Sequence, residues 1–148
     1  MFRKMFLFCV LVPAATTVLL SCNLNNFAPA TPLHPPLGLT LVSSNSTIIA
    51  SFWAFNDEEF FSGYNVYMGS THASASNRTD VLPNSSGGLP SFPFGKSSEL
   101  QRRICFITRD PSGAVLSPGS TWYLTVSAWD YRYSTNSALG EILPVQVQ

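Results

Sequence analysis

One stretch of the sequence indicates the fold of this chain most clearly: Leu116-Ser-Pro-Gly-Ser-Thr-Trp-Tyr-Leu-Thr-Val-Ser-Ala128. A Pro-Gly pair marks a turn, and apolar residues then alternate with their neighbours. A period of two residues is typical of a β-strand with one face in a core. The register that buries the apolar set points Trp122, Leu124, Val126 and Ala128 inward, and Tyr123, Thr125, Ser127 and Trp129 outward.

Short alternating runs of the same kind fill the rest of the chain after residue 37, and no period of 3.6 residues persists long enough for a helix. The fold class is therefore predicted to be all-β. Residues 70–98 differ, because small polar residues and prolines dominate there, and we expect a long loop with a short strand near Thr79–Leu82. The predicted strands are Gly38–Ser43, Thr47–Phe55, Phe61–Gly69, Arg103–Thr108, Ser120–Asp130 and Glu141–Val147.

Three segments together resemble fibronectin type III domains. Leu116–Ala128 resembles the pattern L-x-P-G-T-x-Y-x-V-x-V-x-A, Phe61–Tyr67 resembles I-x-G-Y-x-V-Y, and Thr47–Trp53 resembles the strand that usually carries one inward Trp. The resemblance implies an immunoglobulin-like sandwich of two antiparallel sheets with about seven strands over residues 37–148. It also implies a role in protein binding or spacing.

Two registers are open for the strand Thr47–Phe55. Either Trp53 faces the core with Ile49, or Phe52 faces it with Ile48 and Ala50. The second set is more uniformly apolar, but the first keeps the Trp of the family. We expect Trp53 to be the inward residue.

Residues 1–21 have the pattern of a secretory signal peptide, with Arg3 and Lys4 ahead of an apolar run. Leu19-Leu20-Ser21-Cys22 resembles the bacterial lipobox, although Leu20 stands where a small residue is preferred. The resemblance implies that Cys22 carries the lipid and that the bacterial cell envelope is the location. Residues 22–36 are predicted to be a Pro-rich tether. If Cys22 were instead free, a bridge to Cys105 would be the alternative, although Cys105 is expected to be buried.

Composition and motifs argue against several classes of function. Charged residues are 11% of the chain, eight basic against eight acidic, without the basic patch that nucleic-acid binding needs. Two histidines and no zinc or hydrolase motif argue against an enzyme, a metal and a cofactor. The acidic triplet at 57–59 is expected to be a solvated turn.

Aromatic residues provide the candidate binding surface. Tyr123, Trp129, Tyr131 and Tyr133 alternate along and beyond the strand that ends at Asp130, with Tyr67 as a further neighbour, and they predict an aromatic patch for a protein or glycan partner. The predicted function is non-catalytic binding, including adhesion, by a protein whose lipid holds it on the membrane. The alternative is a structural spacer in an envelope assembly, which a fully packed patch would favour.

Overall fold

The computed structural model describes residues 32–148, and they form a sandwich of two antiparallel β-sheets. The predicted all-β class is confirmed. The structure has eight strands and one short helix: β1 (Leu37–Ser44), β2 (Thr47–Asn56), β3 (Phe61–Gly69), α1 (His72–Ser76), β4 (Phe92–Pro93), β5 (Ser97–Ile107), β6 (Thr121–Asp130), β7 (Thr135–Asn136) and β8 (Leu143–Gln146).

One sheet has the order β1-β2-β5, and the larger one has the order β4-β3-β6-β7, with β8 also paired to β6. Every pairing is antiparallel. The interior strands, β2 in the smaller sheet and β3 and β6 in the larger one, have 9 or 10 residues each and bury most of them. The core lies between the sheets, and its largest fully buried side chains include Tyr64, Phe52, Ile48, Met68 and Leu124.

The strand β6 confirms the predicted inward set, since Leu124, Val126 and Ala128 are buried and Trp122 packs partly buried against the core. Thr125 and Ser127 point to the opposite face, but they too are fully buried. Residues that follow β6 cover them: the Gly140 carbonyl accepts a 3.1 Å hydrogen bond from Thr125, and Asn136 in β7 accepts one of 2.8 Å from Ser127.

Tyr67 is also covered rather than part of a surface patch, which corrects its predicted role. It is 3% exposed, and its hydroxyl donates a 2.9 Å hydrogen bond to Asn136 Oδ1. Asn65 donates to the same oxygen at 3.0 Å. A polar network centred on Asn136 therefore seals the outer side of the larger sheet.

The expected orientation of Trp53 is wrong. Phe52 is 1% exposed and lies edge-to-face on Tyr64, with ring centroids 4.9 Å apart, whereas Trp53 is 47% exposed. Ile48, Ala50 and Phe52 share one parity along β2. Burying this uniformly apolar set removes more apolar area from water than burying the other set, in which Ile49 and Trp53 alternate with Thr47 and Ser51.

The loop at 70–98 is more ordered than predicted. It contains α1, which begins with a capping box: the N-cap residue Thr71 and Ser74, inside the helix, hydrogen-bond reciprocally. Val81 forms a bridge with Tyr67, close to the expected short strand, and β4 pairs with β3. The strand β5 begins at Ser97, earlier than the predicted Arg103.

Cys105 is buried in the core, as expected. Burial raises the pKa of its thiol to about 12, because the thiolate would have to leave water. Cys22, the other half of the alternative bridge and the predicted lipidation site, lies outside the described residues, as do the signal peptide and most of the tether.

Candidate functional site

The predicted aromatic patch is divided between the two ends of β6. Tyr123 lies opposite Gly69 and Pro144, with its ring 6.2 Å from that of His72. Trp129 is partly buried six residues further along, a separation of about 20 Å at the rise of a β-strand. The four residues therefore do not form one contact surface.

Tyr131 and Tyr133 lie in the turn after β6 and pack edge-to-face on Phe60, with centroids 5.8 and 6.0 Å away. The Arg132 guanidinium stacks 4.4 Å above Phe60. Asp130 fixes this turn by accepting hydrogen bonds from the backbone N–H groups of Arg132 and Tyr133 at 2.8 and 3.0 Å. Of the predicted residues, Tyr131 alone is a largely exposed ring, at 60%.

A different surface concentrates exposed apolar groups, on the side of the three-stranded sheet that faces away from the core. Residues directly opposite one another in neighbouring strands share a face of the sheet. One row across the three strands is Val42, Ile49 and Phe106, and another is Leu37, Trp53 and Arg102. We call the residues Leu37, Val42, Ile49, Trp53, Ile104 and Phe106 the outer apolar face.

The outer apolar face is exposed in the structure. Phe106 is 62% exposed, Val42 59%, Leu37 53%, Trp53 47% and Ile104 44%. Clusters of large apolar groups on a soluble domain usually mark an interaction site, because leaving them in water is costly. Sequence reasoning missed this face, but the contiguous runs Ile48-Ile49 and Ile104–Ile107 contain its signal, since they place apolar side chains on both sides of one sheet.

One end of the outer apolar face contains a shallow hollow of about 130 Å³, the Trp53 hollow, lined by Gly38, Thr40, Ser51, Phe52, Trp53 and Arg102. Gly38 lies beside the indole, so that a Cβ there would be 3.9 Å from Trp53 Cδ1. Arg102 Nη2 donates a 3.1 Å hydrogen bond to Ser51 Oγ, and that hydroxyl is 2.7 Å from Thr40 Oγ1. An indole, a positioned guanidinium and two hydroxyl groups therefore meet in one depression.

A second cleft, of about 460 Å³, lies between the 82–92 segment and the end of β5. Its lining includes Phe106, so it adjoins the outer apolar face. Asp110 borders it and caps its own turn, accepting from Ser112 and Ala114. These bonds hold the pKa of the Asp110 carboxyl below its ordinary value, and the bond from the Ser112 hydroxyl has the largest effect.

The end of the tether docks on the sandwich through Glu58. Its Oε1 accepts from the His34 backbone N–H at 2.9 Å and from His34 Nδ1 at 2.8 Å, which fixes the Nδ1–H tautomer. Asn56 Nδ2 donates to the His34 carbonyl at 3.1 Å, and Tyr64 donates to Asn56 Oδ1 at 2.9 Å. Burial raises the pKa of Tyr64 to about 12. We call these contacts of Glu58 and Asn56 with His34 the latch. Leu33, the residue before His34, is buried.

The latch predicts a pH-dependent contribution to stability. Burial alone would raise the pKa of Glu58, but hydrogen bonds from backbone N–H groups and from His34 and Asn56 hold it below its ordinary value of 4.5. The stabilisation by the carboxylate is therefore complete above 4.5 and is lost as the pH falls through the lowered pKa. Glu58→Gln should unfold more readily than the wild type at pH 7, and this difference should shrink as the pH falls below 4.5.

Urea denaturation across that pH range measures the effect. Asp110 remains in both proteins and contributes the same sign of pH dependence, so the variant keeps a smaller slope. A constant difference between wild type and Glu58→Gln from pH 7 to pH 3 would contradict the assignment.

Over residues 32–148, no cluster of three or more His, Cys, Asp or Glu side chains that could hold a metal ion occurs. The one contact within 4 Å between a basic and an acidic side chain in that range joins His34 to Glu58. No helix within the same range is long and apolar enough to cross a membrane.

No protein-family model matches the sequence, and no curated protein matches it either. Solved structures do match. A Fn3-like protein from Clostridium thermocellum is 15% identical with a TM-score of 0.40, over 80% of this chain and 96% of that one. An α-L-rhamnosidase from Dictyoglumus thermophilum is 16% identical with a TM-score of 0.48, over 80% of this chain and 13% of the enzyme.

A third similar structure is a β-1,2-glucanase from Parabacteroides distasonis, 13% identical with a TM-score of 0.35 over 80% of this chain and 14% of the enzyme. The chain thus spans nearly all of the first protein and a small part of each enzyme. Likenesses this distant carry no information about substrate or activity. The strand pairings described above establish the all-β sandwich fold.

Proposed function

We propose that this chain is a lipid-anchored protein of the bacterial cell envelope whose β-sandwich binds a macromolecular partner through the outer apolar face, without catalysis. The observation that carries the binding role is the exposure of Trp53 and Phe106 on a sheet face that no other segment of residues 32–148 covers. Aromatic and Arg side chains on an otherwise weakly charged surface are typical of binding hot spots.

The lipid anchor is supported by the sequence Leu19-Leu20-Ser21-Cys22 at the end of the apolar leader. Removal of the leader would take Arg3 and Lys4 with it and leave six basic and eight acidic side chains, a net charge of −2. Electrostatic attraction to anionic lipid would then be weak, so membrane attachment would rest on the acyl chains, at about 0.8 kcal/mol per buried CH₂.

A non-catalytic role is supported by the environment of the described titratable groups. The His34–Glu58 pair is engaged in docking the tether, and the Cys105 thiol is buried with a raised pKa. Neither arrangement presents an activated nucleophile to a cleft.

The anchor is tested by metabolic labelling of cells with a fatty-acid probe. The wild-type chain should incorporate the label and fractionate with membranes, and Cys22→Ala should lose both properties because it lacks the acceptor thiol. Cys105→Ala is the matched control and should label like the wild type. Equal labelling of wild type and Cys22→Ala, or of neither, would contradict the anchor.

A further inference from the structure

We propose that the Trp53 hollow binds a carboxylate-bearing sugar unit, so that the partner of the outer apolar face is an acidic glycan. This inference rests on the proposed binding function and specifies its ligand.

The Trp53 indole provides the stacking surface. Trp53 is 47% exposed while its sheet position is fixed by pairing with Leu37 on one side and Arg102 on the other. A flat ring held on a rigid strand can cover the apolar C–H side of a pyranose at little cost in conformational entropy. The volume of the hollow, about 130 Å³, suits one sugar unit rather than a protein side-chain cluster.

Arg102 provides the group that selects a carboxylate. Its guanidinium is oriented by the hydrogen bond to Ser51 Oγ, and no carboxylate of residues 32–148 forms an ion pair with it. The remaining N–H groups of the fork have no protein acceptor among those residues, so they are available for a bidentate bond to an anionic group.

The charge pattern of the sheet face points the same way. Among the outward residues paired across β1, β2 and β5, Arg102 is the one charged side chain, and the others are apolar residues or the hydroxyl residues Thr40, Ser44, Thr47 and Ser51. The face is thus locally cationic on a chain whose predicted mature charge is negative. An acidic ligand complements it, and no carboxylate of residues 32–148 pairs with Arg102 to compete for the guanidinium.

A glycan fits this end of the face better than a protein does. The hydroxyls of Thr40 and Ser51 form the polar floor of the hollow and already bond to each other and to Arg102. The pair retains further hydrogen-bonding capacity, and an apolar side chain would shut it off from water at a cost in free energy. Sugar hydroxyl groups can donate to and accept from both hydroxyls. The apolar row of Val42, Ile49 and Phe106 then continues the surface along which further sugar units can lie.

The test is calorimetric titration of the purified full-length processed protein with trigalacturonate, a hyaluronan tetrasaccharide and sialyllactose, with maltotriose and cellotriose as neutral probes. At least one acidic probe should bind, and the neutral ones should bind at least about tenfold more weakly. Trp53→Ala and Arg102→Gln should each weaken acidic binding about tenfold or more, and Arg102→Lys should recover part of it. Tyr131→Ala, which removes a ring that is 60% exposed in the turn after β6, should bind as the wild type does.

Equal affinity for acidic and neutral probes, or full acidic binding by Arg102→Gln, would overturn the inference. So would the absence of binding to every acidic probe. Suppose that no acidic probe bound, but that Cys22 was labelled with fatty acid and Phe106 was protected from hydroxyl-radical oxidation in cells. The proposed function would then stand with a partner of another class, such as a protein. If Phe106 were also unprotected, the glycan inference and the proposed binding function would both be wrong.

Discussion

Phe52→Ala is expected to lower the free energy of unfolding by about 3–5 kcal/mol, the cost of removing a fully buried aromatic ring and leaving a cavity. Phe52 is 1% exposed and lies edge-to-face on Tyr64 between the sheets. Trp53→Ala, one position along the strand, should change the same free energy by less than about 1 kcal/mol, because the indole lies on the surface. Urea denaturation followed by circular dichroism measures both.

This pair is a sharp test because the two residues are neighbours and the outcome depends only on the register of β2. In the opposite register, Trp53 would be the costly residue and Phe52 the tolerant one. A larger destabilisation by Trp53→Ala than by Phe52→Ala would contradict the sandwich described above and remove the exposed indole on which the proposed binding depends.

Gly63→Ala is expected to destabilise the domain by about 2–6 kcal/mol, from about 1–3 kcal/mol of backbone strain and a similar cost of overpacking. Gly63 has a φ of +148°, where only glycine is unstrained. A Cβ there would clash with the Phe92 carbonyl oxygen and lie 2.9 Å from Pro93 Cα, so β4 would have to leave the edge of β3.

Gly95→Ala is the matched control for this substitution. Gly95 lies near β4, but a Cβ there would meet no atom within 4 Å. Its free energy of unfolding should stay within about 0.5 kcal/mol of the wild type. If Gly63→Ala were as stable as Gly95→Ala, the close packing of β4 on β3 would be wrong.

Regular alternation in the sequence predicts the strands that form the core well. In β6, Leu124, Val126 and Ala128 follow a period of two, and their inward orientation is confirmed. Phe52 and Trp53 are adjacent, and both are large and aromatic, so the pair by itself does not indicate which side chain faces the core. The structure shows that the parity shared with Ile48 and Ala50 decides the register, and that the identity of one Trp does not.

The candidate site could not be predicted as well, because exposure depends on which segments cover each sheet. Thr125 and Ser127 look solvent-facing by their chemistry, yet Asn136 and Gly140 cover them. Phe106 lies in an apolar run that is typical of a buried strand, yet no segment of residues 32–148 covers its side of β5. The two hydrogen bonds that cover Thr125 and Ser127 span 15 and 9 residues, so they depend on how the chain after β6 folds back, which the alternation within β6 does not encode.

Hydroxyl-radical footprinting tests whether the outer apolar face is occupied by a partner in the envelope. It compares the protein in intact cells of a bacterium that makes it with the purified protein. Phe106 and Tyr131 are 62% and 60% exposed, so their rings should be oxidised comparably in the purified protein. If the outer apolar face is occupied in the envelope, oxidation of Trp53 and Phe106 should fall in cells while that of Tyr131 stays unchanged. Unprotected Trp53 and Phe106, with or without protection of Tyr131, would contradict the account.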